Sequence, residues 1–536
     1  MTEEEKRKAR GKEIHRRVMI VLGALIAASG LAAWHVGRGG AAFLQPVMFG
    51  RWRGRPALDI PAIRRPSPSL TRWRPFDAAA QAEARAAGKL LLLSVVAPWS
   101  GPCRLMDERA YADPEIADFL AQQVVAVRVD AEARPDLALR YLGRGWPTTA
   151  LLLPSGRVVE AGTYMEAALF KTWAEAVAAA YAKKRDAVAA ALERAKDASE
   201  SSPAARGPGE TLDWARARLA SPPAGAAVFP GFDRLDDLLG GVPEPWSVET
   251  ATLTLARSRR LEDPEWGGFY RDSRSADFTR AEREKLLEDQ AAAVSVLARL
   301  ARVDEARRTL DYVERFLEDP KGGYYSSQAG EADLKDGTVE SGDSYFAKID
   351  RARRAAGAPP VDKRSLASEN GAMARAVLTA GKVARPRDLA YARKVLERWW
   401  RSAVRGGRVA RELSGAGPRG LLDDQVSLAR AYLAAGRVDR AAELLASCEK
   451  DLFDEKTGAF FDRKATGELP PDLDRLLVAP LEYRAWRAYL ELSAALPAGP
   501  RRARARARAE ELRNWLWEHR GRLDAARLAV AARAGL

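Results

Sequence analysis

From Arg72 to about Asp197, short apolar runs alternate with amphipathic stretches, a pattern that predicts strands and helices in turn. Phe76 to Ala87 reads as an amphipathic helix and Lys89 to Ala97 as a buried strand. The loop Trp99 to Cys103 then leads into a helix through Met106 and Arg109. Asp113-Pro114 marks another helix start, with aspartate as cap and proline at the first helical position. Val124 to Asp130, Thr148 to Leu153 and Arg157 to Ala161 read as strands, and Pro135 to Leu142 as a short helix. A long helix from Met165 past Ala190 closes the unit. Strands alternating with helices predict an α/β domain.

Beyond a Ser/Pro/Gly-rich linker the pattern changes to paired helices. Arg283 to Ala301 pairs with Val303 to Leu317, Leu366 to Gly381 with Pro386 to Arg401, and Leu421 to Ala435 with Val438 to Leu452. Leu473 to Ala495 and Arg501 to Trp517 follow. Between pairs a motif recurs: Gly267-Gly268-Phe269-Tyr270, Gly322-Gly323-Tyr324-Tyr325 and Gly458-Ala459-Phe460-Phe461, each preceded by an aspartate that opens a turn. A turn and two aromatics at each return predict small hairpins sealing one end of a helical toroid or solenoid.

Ahead of both lies the apolar run Val18 to Trp34, preceded by the basic stretch Lys6 to Arg17. At roughly 17 residues it reaches the short end of a membrane-spanning helix. A cleaved signal peptide is the alternative, but the long charged leader favours a retained anchor. Lysine and arginine on its N-terminal side place the bulk of the chain across the membrane, on the extracytoplasmic face. The expected organisation is a basic cytoplasmic leader (1–17), a transmembrane anchor (18–36), a linker (37–70), an α/β domain (71–196), a second linker (197–212) and an all-α domain (213–536).

Composition narrows the chemistry. The 536 residues exceed one core and fit two folded domains with appendages. The formal charge of +14 is spread along helix faces, which reads as solvated surface and not as a nucleic-acid footprint. Two denser clusters, Arg51 to Arg74 and Arg501 to Arg508, are unspecific. Of the three histidines, His15 and His35 flank the apolar run and His519 is near the C-terminus. No histidine-based metal site or triad can therefore form mid-chain, and no metal or cofactor is expected. The two cysteines, Cys103 and Cys448, fall in separate domains, so no structural disulfide is expected.

Trp99-Ser100-Gly101-Pro102-Cys103 looks like a thioredoxin active-site loop whose first cysteine is serine. Dithiol exchange starts from a thiolate at the helix N-terminus, where the dipole lowers its pKa. A second thiol three residues on resolves the mixed disulfide. Ser100 cannot attack a disulfide, and Cys103 holds only the resolving position. Trp146-Pro147-Thr148 precedes the third strand, where a thioredoxin fold places its cis-proline opposite the loop.

The run Asp130-Ala131-Glu132-Ala133-Arg134-Pro135-Asp136, followed by Gly145-Trp146-Pro147, resembles the D-x-E-x-R-P-D and G-W-P motifs of the domain-of-unknown-function 255 family, also called spermatogenesis-associated protein 20-like. Gly267-Gly268-Phe269 through Ser273, Glu284 to Gln290, Asp362-Lys363 with Asn370-Gly371, and Leu422-Asp423-Asp424 continue the resemblance. It implies a thioredoxin-like domain joined to an α/α toroid of the six-hairpin type, related to N-acylglucosamine 2-epimerases. This chain departs from it at Ser100, at Tyr270 and Glu282 where the family has histidine, and at Glu369 where it has tryptophan. In such toroids, central carboxylates act at a glycosidic or anomeric centre. The resemblance thus offers Glu284, Asp289, Asp423 and Asp424 as catalytic candidates, with Arg271 and Asn370 as ligand-binding residues.

Three functions follow as expectations. The first is a membrane-anchored binding or scaffold protein whose Trp99, Ser100, Gly101, Pro102, Cys103 and Pro147 form a polypeptide-binding groove. The second is a carbohydrate-active enzyme using the toroid's acidic residues. The third is a monothiol role for Cys103. The part of the chain beyond the anchor is predicted to be inactive in insulin reduction, with Ser100→Cys as the variant that could regain it; turnover by the unaltered protein would overturn the redox-dead reading.

Overall fold

A computed structural model describes residues 59–63, 69–198 apart from 144, and 229–535 apart from 241–243, 335 and 470, with scattered positions between 210 and 219. The apolar run at 18–36 and the leader lie outside these residues. Among the described residues no helix is long and apolar enough to cross a membrane.

The α/β domain is a five-stranded sheet in the order β1-β3-β2-β4-β5, with β1 at Arg74–Pro75, β2 at Leu90–Val96, β3 at Val124–Asp130, β4 at Thr148–Leu152 and β5 at Val158–Gly162. β2 is parallel to β3, from Leu90 opposite Val124 to Val96 opposite Asp130, and antiparallel to β4. Leu90 to Val95 is buried on both faces, which explains an apolar run interrupted only by Ser94. Helices α1 (Ala78–Ala87), α2 (Gly101–Arg109), α3 (Pro114–Gln123), α4 (Pro135–Tyr141) and α5 (Ala167–Ala198) complete the unit. Asp113 caps α3 by accepting the Ile116 N–H at 3.0 Å. The Trp146–Pro147 peptide is cis. This is the thioredoxin-like arrangement.

The second domain is a ring. Its inner helices are α6 (Phe232–Leu238), α8 (Leu287–Arg299), α10 (Ala367–Thr379), α12 (Leu422–Ala434), α14 (Ala479–Ala495) and α16 (Ala525–Gly535). Consecutive inner helices pack side by side from α6 through α14, and α16 returns to α6. The closure is ionic: Arg527 of α16 donates to Asp233 at 2.8 Å and Asp237 at 2.9 Å on α6. Between the inner helices run α7 (Pro245–Ser258), α9 (Val303–Tyr312), α11 (Pro386–Ala403), α13 (Val438–Asp451) and α15 (Pro500–Glu518). Inner helices approach closely where Gly371 of α10 meets the backbone of Ser427 and Leu428 on α12. A Cβ at Gly371 would sit 2.6 Å from the Ser427 carbonyl carbon, so only glycine fits there.

The recurring aromatic motif has a structural meaning. Each instance ends a short hairpin or bridge, and the fourth residue of the next inner helix clamps it. Gln290 accepts the Phe269 N–H at 2.7 Å and donates back to its carbonyl at 2.9 Å. Asn370 does the same to Tyr324, at 2.8 and 2.9 Å. Glu482 accepts the Phe460 N–H at 3.0 Å, and Gln425 repeats the clamp at the Val404–Val409 hairpin by accepting the Val409 N–H at 2.6 Å. Two boundaries differ from expectation because the chain there is used for docking. Lys285–Leu286 is a strand paired with Ser327–Gln328, so α8 starts only at Leu287. Leu473 lies in a separate turn, and α14 starts at Ala479.

The two domains share a buried ionic joint. Arg140 of α4 reaches Asp462 at 2.7 Å and the Asp474 carbonyl at 2.8 Å, with its guanidinium fully enclosed. Asp136 pairs with Arg463 at 2.7 Å, and Arg463 with Asp474 at 2.7 Å. Burial alone would raise the Asp136 carboxyl, but Arg134 and Arg463 outweigh it and hold it below the usual carboxylate range. Even the end of the expected linker is pinned: Ile63 and Pro61 bond the Val361 backbone, both at 2.9 Å. Asp136→Ala, which leaves Arg463 with Asp474 and Arg134 with Glu468 as their remaining partners, is expected to lower unfolding stability by about 3 kcal/mol, measured by urea denaturation.

Candidate functional site

The centre of the ring holds a cavity of about 710 Å³, within the size range of small-molecule sites. Its walls come from the inner helices and its roof from the thioredoxin-like domain, through Trp99, Glu132, Trp146 and α4. The active-site-like loop therefore faces the ring. Trp99 is 3% exposed and packs with Ala97 and Leu286, and its ring meets Trp146 edge-on at 5.3 Å. Its indole N–H donates to Glu132 at 2.9 Å, while the Arg271 guanidinium lies over its ring at 4.8 Å. Arg104, next after the loop, pairs with Glu331 of the ring at 2.6 Å.

This docking decides what the loop can do. Ser100 is the N-cap of α2, its hydroxyl accepting the Cys103 N–H at 3.4 Å. It keeps the helix start while supplying no nucleophile. Cys103 is buried, and burial pushes its thiol up to about 11, against the lowering effect of the Ser100 hydrogen bond. Pro147 is buried too, and of the loop only Pro102 is exposed. The face that was expected to bind extended polypeptide is covered by the chain's own ring. Restoring the first thiol with Ser100→Cys would leave the pair beneath that ring, so the regain of insulin reduction expected from sequence requires the two domains to part.

The cavity lining carries eight carboxylates and seven arginines. Six of the arginines are already matched: Arg271 to Asp272, Arg375 to Asp236, Arg411 to Asp424, Arg430 to Glu491, Arg484 to Asp423 and Arg527 to Asp237. The seventh, Arg234, lies close enough to Asp233 to favour its charged form. Of three more carboxyls in the first turns of inner helices, Glu288 and Asp289 have no such match, and Glu369 has only Arg411 at 3.8 Å, already bound to Asp424. Glu288 is accessible within the cavity yet enclosed by ring and roof. That enclosure, with Glu132 and Asp233 nearby, pushes it up to about 7 against the pull of Arg484. Asp289 is raised by burial and by Glu288 beside it, and its Oδ2 is buried without a partner. Glu369 is 7% exposed, raised by burial and by the Glu132 carboxyl, and its Oε2 is also unpartnered. A helix N-terminus normally favours a carboxylate; here enclosure and crowding of like charges prevail.

Of the residues proposed from sequence, Asp289, Asp423 and Arg271 line the cavity. Glu284 sits behind the wall, pushed up to about 7 by burial, with Arg271 3.7 Å away partly offsetting it. Asp424 is likewise behind the wall, held by Arg411 at 2.8 Å and by the Ser368 N–H at 3.1 Å. Asn370 spends its amide on Tyr324 and the Leu366 carbonyl. Sequence reasoning missed Glu132, Glu288 and Glu369. The signal for Glu369 was its place in the SEN run that repeats the Glu/Asp-rich helix starts at 288 and 423. No histidine lines the cavity among the described residues, and His519 stacks on Trp515 at the end of α15. Among the described residues no group of acidic, histidine or cysteine side chains is arranged to hold a metal ion.

Residues 61–199 match the family model Thioredox_DsbH, described as a protein of unknown function, DUF255. That part of the chain is similar to DUF255 domains. Human spermatogenesis-associated protein 20 is 24% identical over 333 residues, spanning 51% of this chain and 41% of that protein. The rat protein of the same name is 33% identical over 100 residues, 17% of this chain and 13% of its own. The chain thus spans about two-fifths of its human relative's length at most. Among solved structures, the cellobiose 2-epimerase of Spirochaeta thermophila is similar with a TM-score of 0.42 and 14% identity, covering 61% of this chain and 97% of that one. The cellobiose 2-epimerase of Bacillus thermoamylovorans gives 0.42 and 10%, covering 58% and 86%. The six-helix closure of the ring rests on its own packing, described above.

A thiol this buried and this weakly acidic is expected to resist alkylation in the folded protein. Iodoacetamide at pH 8 should leave Cys103 unmodified by mass spectrometry and label it after guanidinium unfolding; rapid labelling in the native state would show that the roof lifts.

Proposed function

We propose that this protein takes up a small hydroxyl-bearing molecule in the ring cavity, with the thioredoxin-like domain as its fixed roof and no part in dithiol exchange. The observation that carries this reading is Trp99. The residue that opens a redox loop elsewhere is here built into the ceiling of a charged cavity, bonded to Glu132 and stacked under Arg271.

The carboxyls below it are suited to proton transfer. A carboxyl pushed to about 7, as Glu288 is, can hold its proton near neutral pH and deliver it to a leaving or ring oxygen. Asp423, paired with Arg484 at 2.6 Å, supplies a charged carboxylate across the same cavity. Two carboxyls whose surroundings differ in this way divide into acid and base. Glu369 backs the acid side, and half-buried Trp146 offers an aromatic face to an apolar side of the ligand. Glu284 and Asp424 support this site from behind: one faces Arg271, the other positions Arg411.

Anchoring by the 18–36 run, with the folded part on the extracytoplasmic side, belongs to the same proposal. It would put the cavity where small molecules of the cell envelope are met. A scaffold role through the loop is the weaker reading, because the ring occupies that face.

Three isosteric probes test the cavity: sorbitol, gluconate and 1-amino-1-deoxysorbitol. At least one is expected to raise the Tm of the unaltered protein and to lose that effect in Glu369→Gln. If none stabilises it, the cavity is not a polyol site and the reading falls.

A further inference from the structure

The cavity's free valences have one sign. Six of its seven arginines are ion-paired with carboxylates, several of which stand behind the wall, so their charge is spent before any ligand arrives. Glu288 and Asp289 have no such counterpart, and Glu369 has only Arg411, which is already bound to Asp424. Glu369 is nine-tenths buried, lines the cavity and leaves Oε2 without a partner, although Arg411 comes within 3.8 Å of its other oxygen. Asp289 leaves Oδ2 in the same state. A buried oxygen without a donor is costly, and native structures keep few of them. The carboxyls that carry these atoms stand on adjacent inner helices at one cavity, and the accessible Glu288 between them is where a donor from outside meets the cluster.

We infer that the ligand of this cavity carries a protonated primary amine, bound by Glu288, Asp289 and Glu369 beneath the Trp99–Glu132 roof. This rests on the reading of the cavity as a small-molecule site and names the class within it. An ammonium group has three N–H donors on one compact charge, which suits three carboxyls on neighbouring helix ends. A neutral polyol would satisfy the oxygens without offsetting the crowded negative charge. An anionic ligand would meet Arg234 alone as an arginine without an ion pair, and would add to that charge.

The inference has a proton signature. Glu288 and Glu369 are faced by Glu132 from the roof, Asp233 from α6, Asp289 and Arg271 on the α8 side, Arg411 from the loop after α11, Asp423 from α12 and Arg484 from α14. With no ligand, burial and crowding of like charge favour the protonated forms of Glu288, Asp289 and Glu369. A cation favours their charged forms, so its binding releases protons, leaves Glu288 as a base and not an acid toward such a ligand, and tightens as pH rises through about 7, the value for Glu288. Sorbitol, which leaves the carboxyls neutral, has no such dependence.

Isothermal titration of the full chain with 1-amino-1-deoxysorbitol, sorbitol and gluconate decides the matter. The expected result is binding of the amine alone, with a heat that varies with buffer ionisation enthalpy because protons are released. Glu288→Gln should weaken it about tenfold or more, the worth of a charge-assisted hydrogen bond, while circular dichroism and Tm confirm that the variant folds. Binding of sorbitol or gluconate as tightly as the amine, or amine binding without proton release, overturns this inference and leaves the cavity reading standing. Binding of none of the three overturns both.

Discussion

The joint between α4 and the 462–474 segment is what the rest of the molecule depends on. Arg140, Asp136, Asp462, Arg463 and Asp474 are all nearly inaccessible, and each charge is met by an opposite charge or a backbone carbonyl. Charges buried in this way tolerate little misplacement, because any gap leaves an uncompensated ion in a poor solvent. The joint therefore fixes the orientation of the thioredoxin-like domain over the ring. Arg364 to Asp130 at 2.9 Å and Arg411 to the Glu132 carbonyl at 2.7 Å extend the contact toward the cavity. Most of the acidic and basic residues of the D-x-E-x-R-P-D run are accounted for by this one surface.

With the roof fixed, the altered loop becomes intelligible. A working dithiol must present its first sulfur to a partner, which a docked loop cannot do. Ser100 keeps the helix cap and gives up reactivity, while Trp99, Trp146 and Leu286 fill the contact with apolar surface. Loss of the sulfur and burial of the loop are thus one change seen from two sides. On the cavity side, the charged group of an otherwise apolar roof is the Glu132 carboxyl, held by the Trp99 N–H and the Ser326 hydroxyl.

The ring achieves the same precision with repeated local devices. A side-chain amide or carboxyl at the fourth position of α8, α10, α12 and α14 clamps the preceding hairpin, so each inner helix begins at a defined height. First-turn acids then fall at one level of the ring, which is why Glu288, Glu369 and Asp423 share a cavity although they are distant in sequence. Asn370 reads as a ligand contact in isolation and as a clamp once Gln290 and Gln425 are seen beside it.

The sequence by itself determined the two kinds of domain, the position of the loop, the absent first thiol and the hairpin repeat, because each depends on local periodicity or on the identity of a few adjacent residues. It also showed that the middle of the chain, between His35 and His519, carries no histidine. Only the tertiary structure decided that the loop faces inward, that Asp289 opens to the cavity while Glu284 and Asp424 do not, and that Glu132 joins the site from the other domain. Periodicity sets which face of a helix is apolar, but not which first-turn acid points to the axis or which charge finds a partner. Those outcomes are sums over ions brought together from opposite ends of the chain, and only the folded arrangement fixes the distances that enter them.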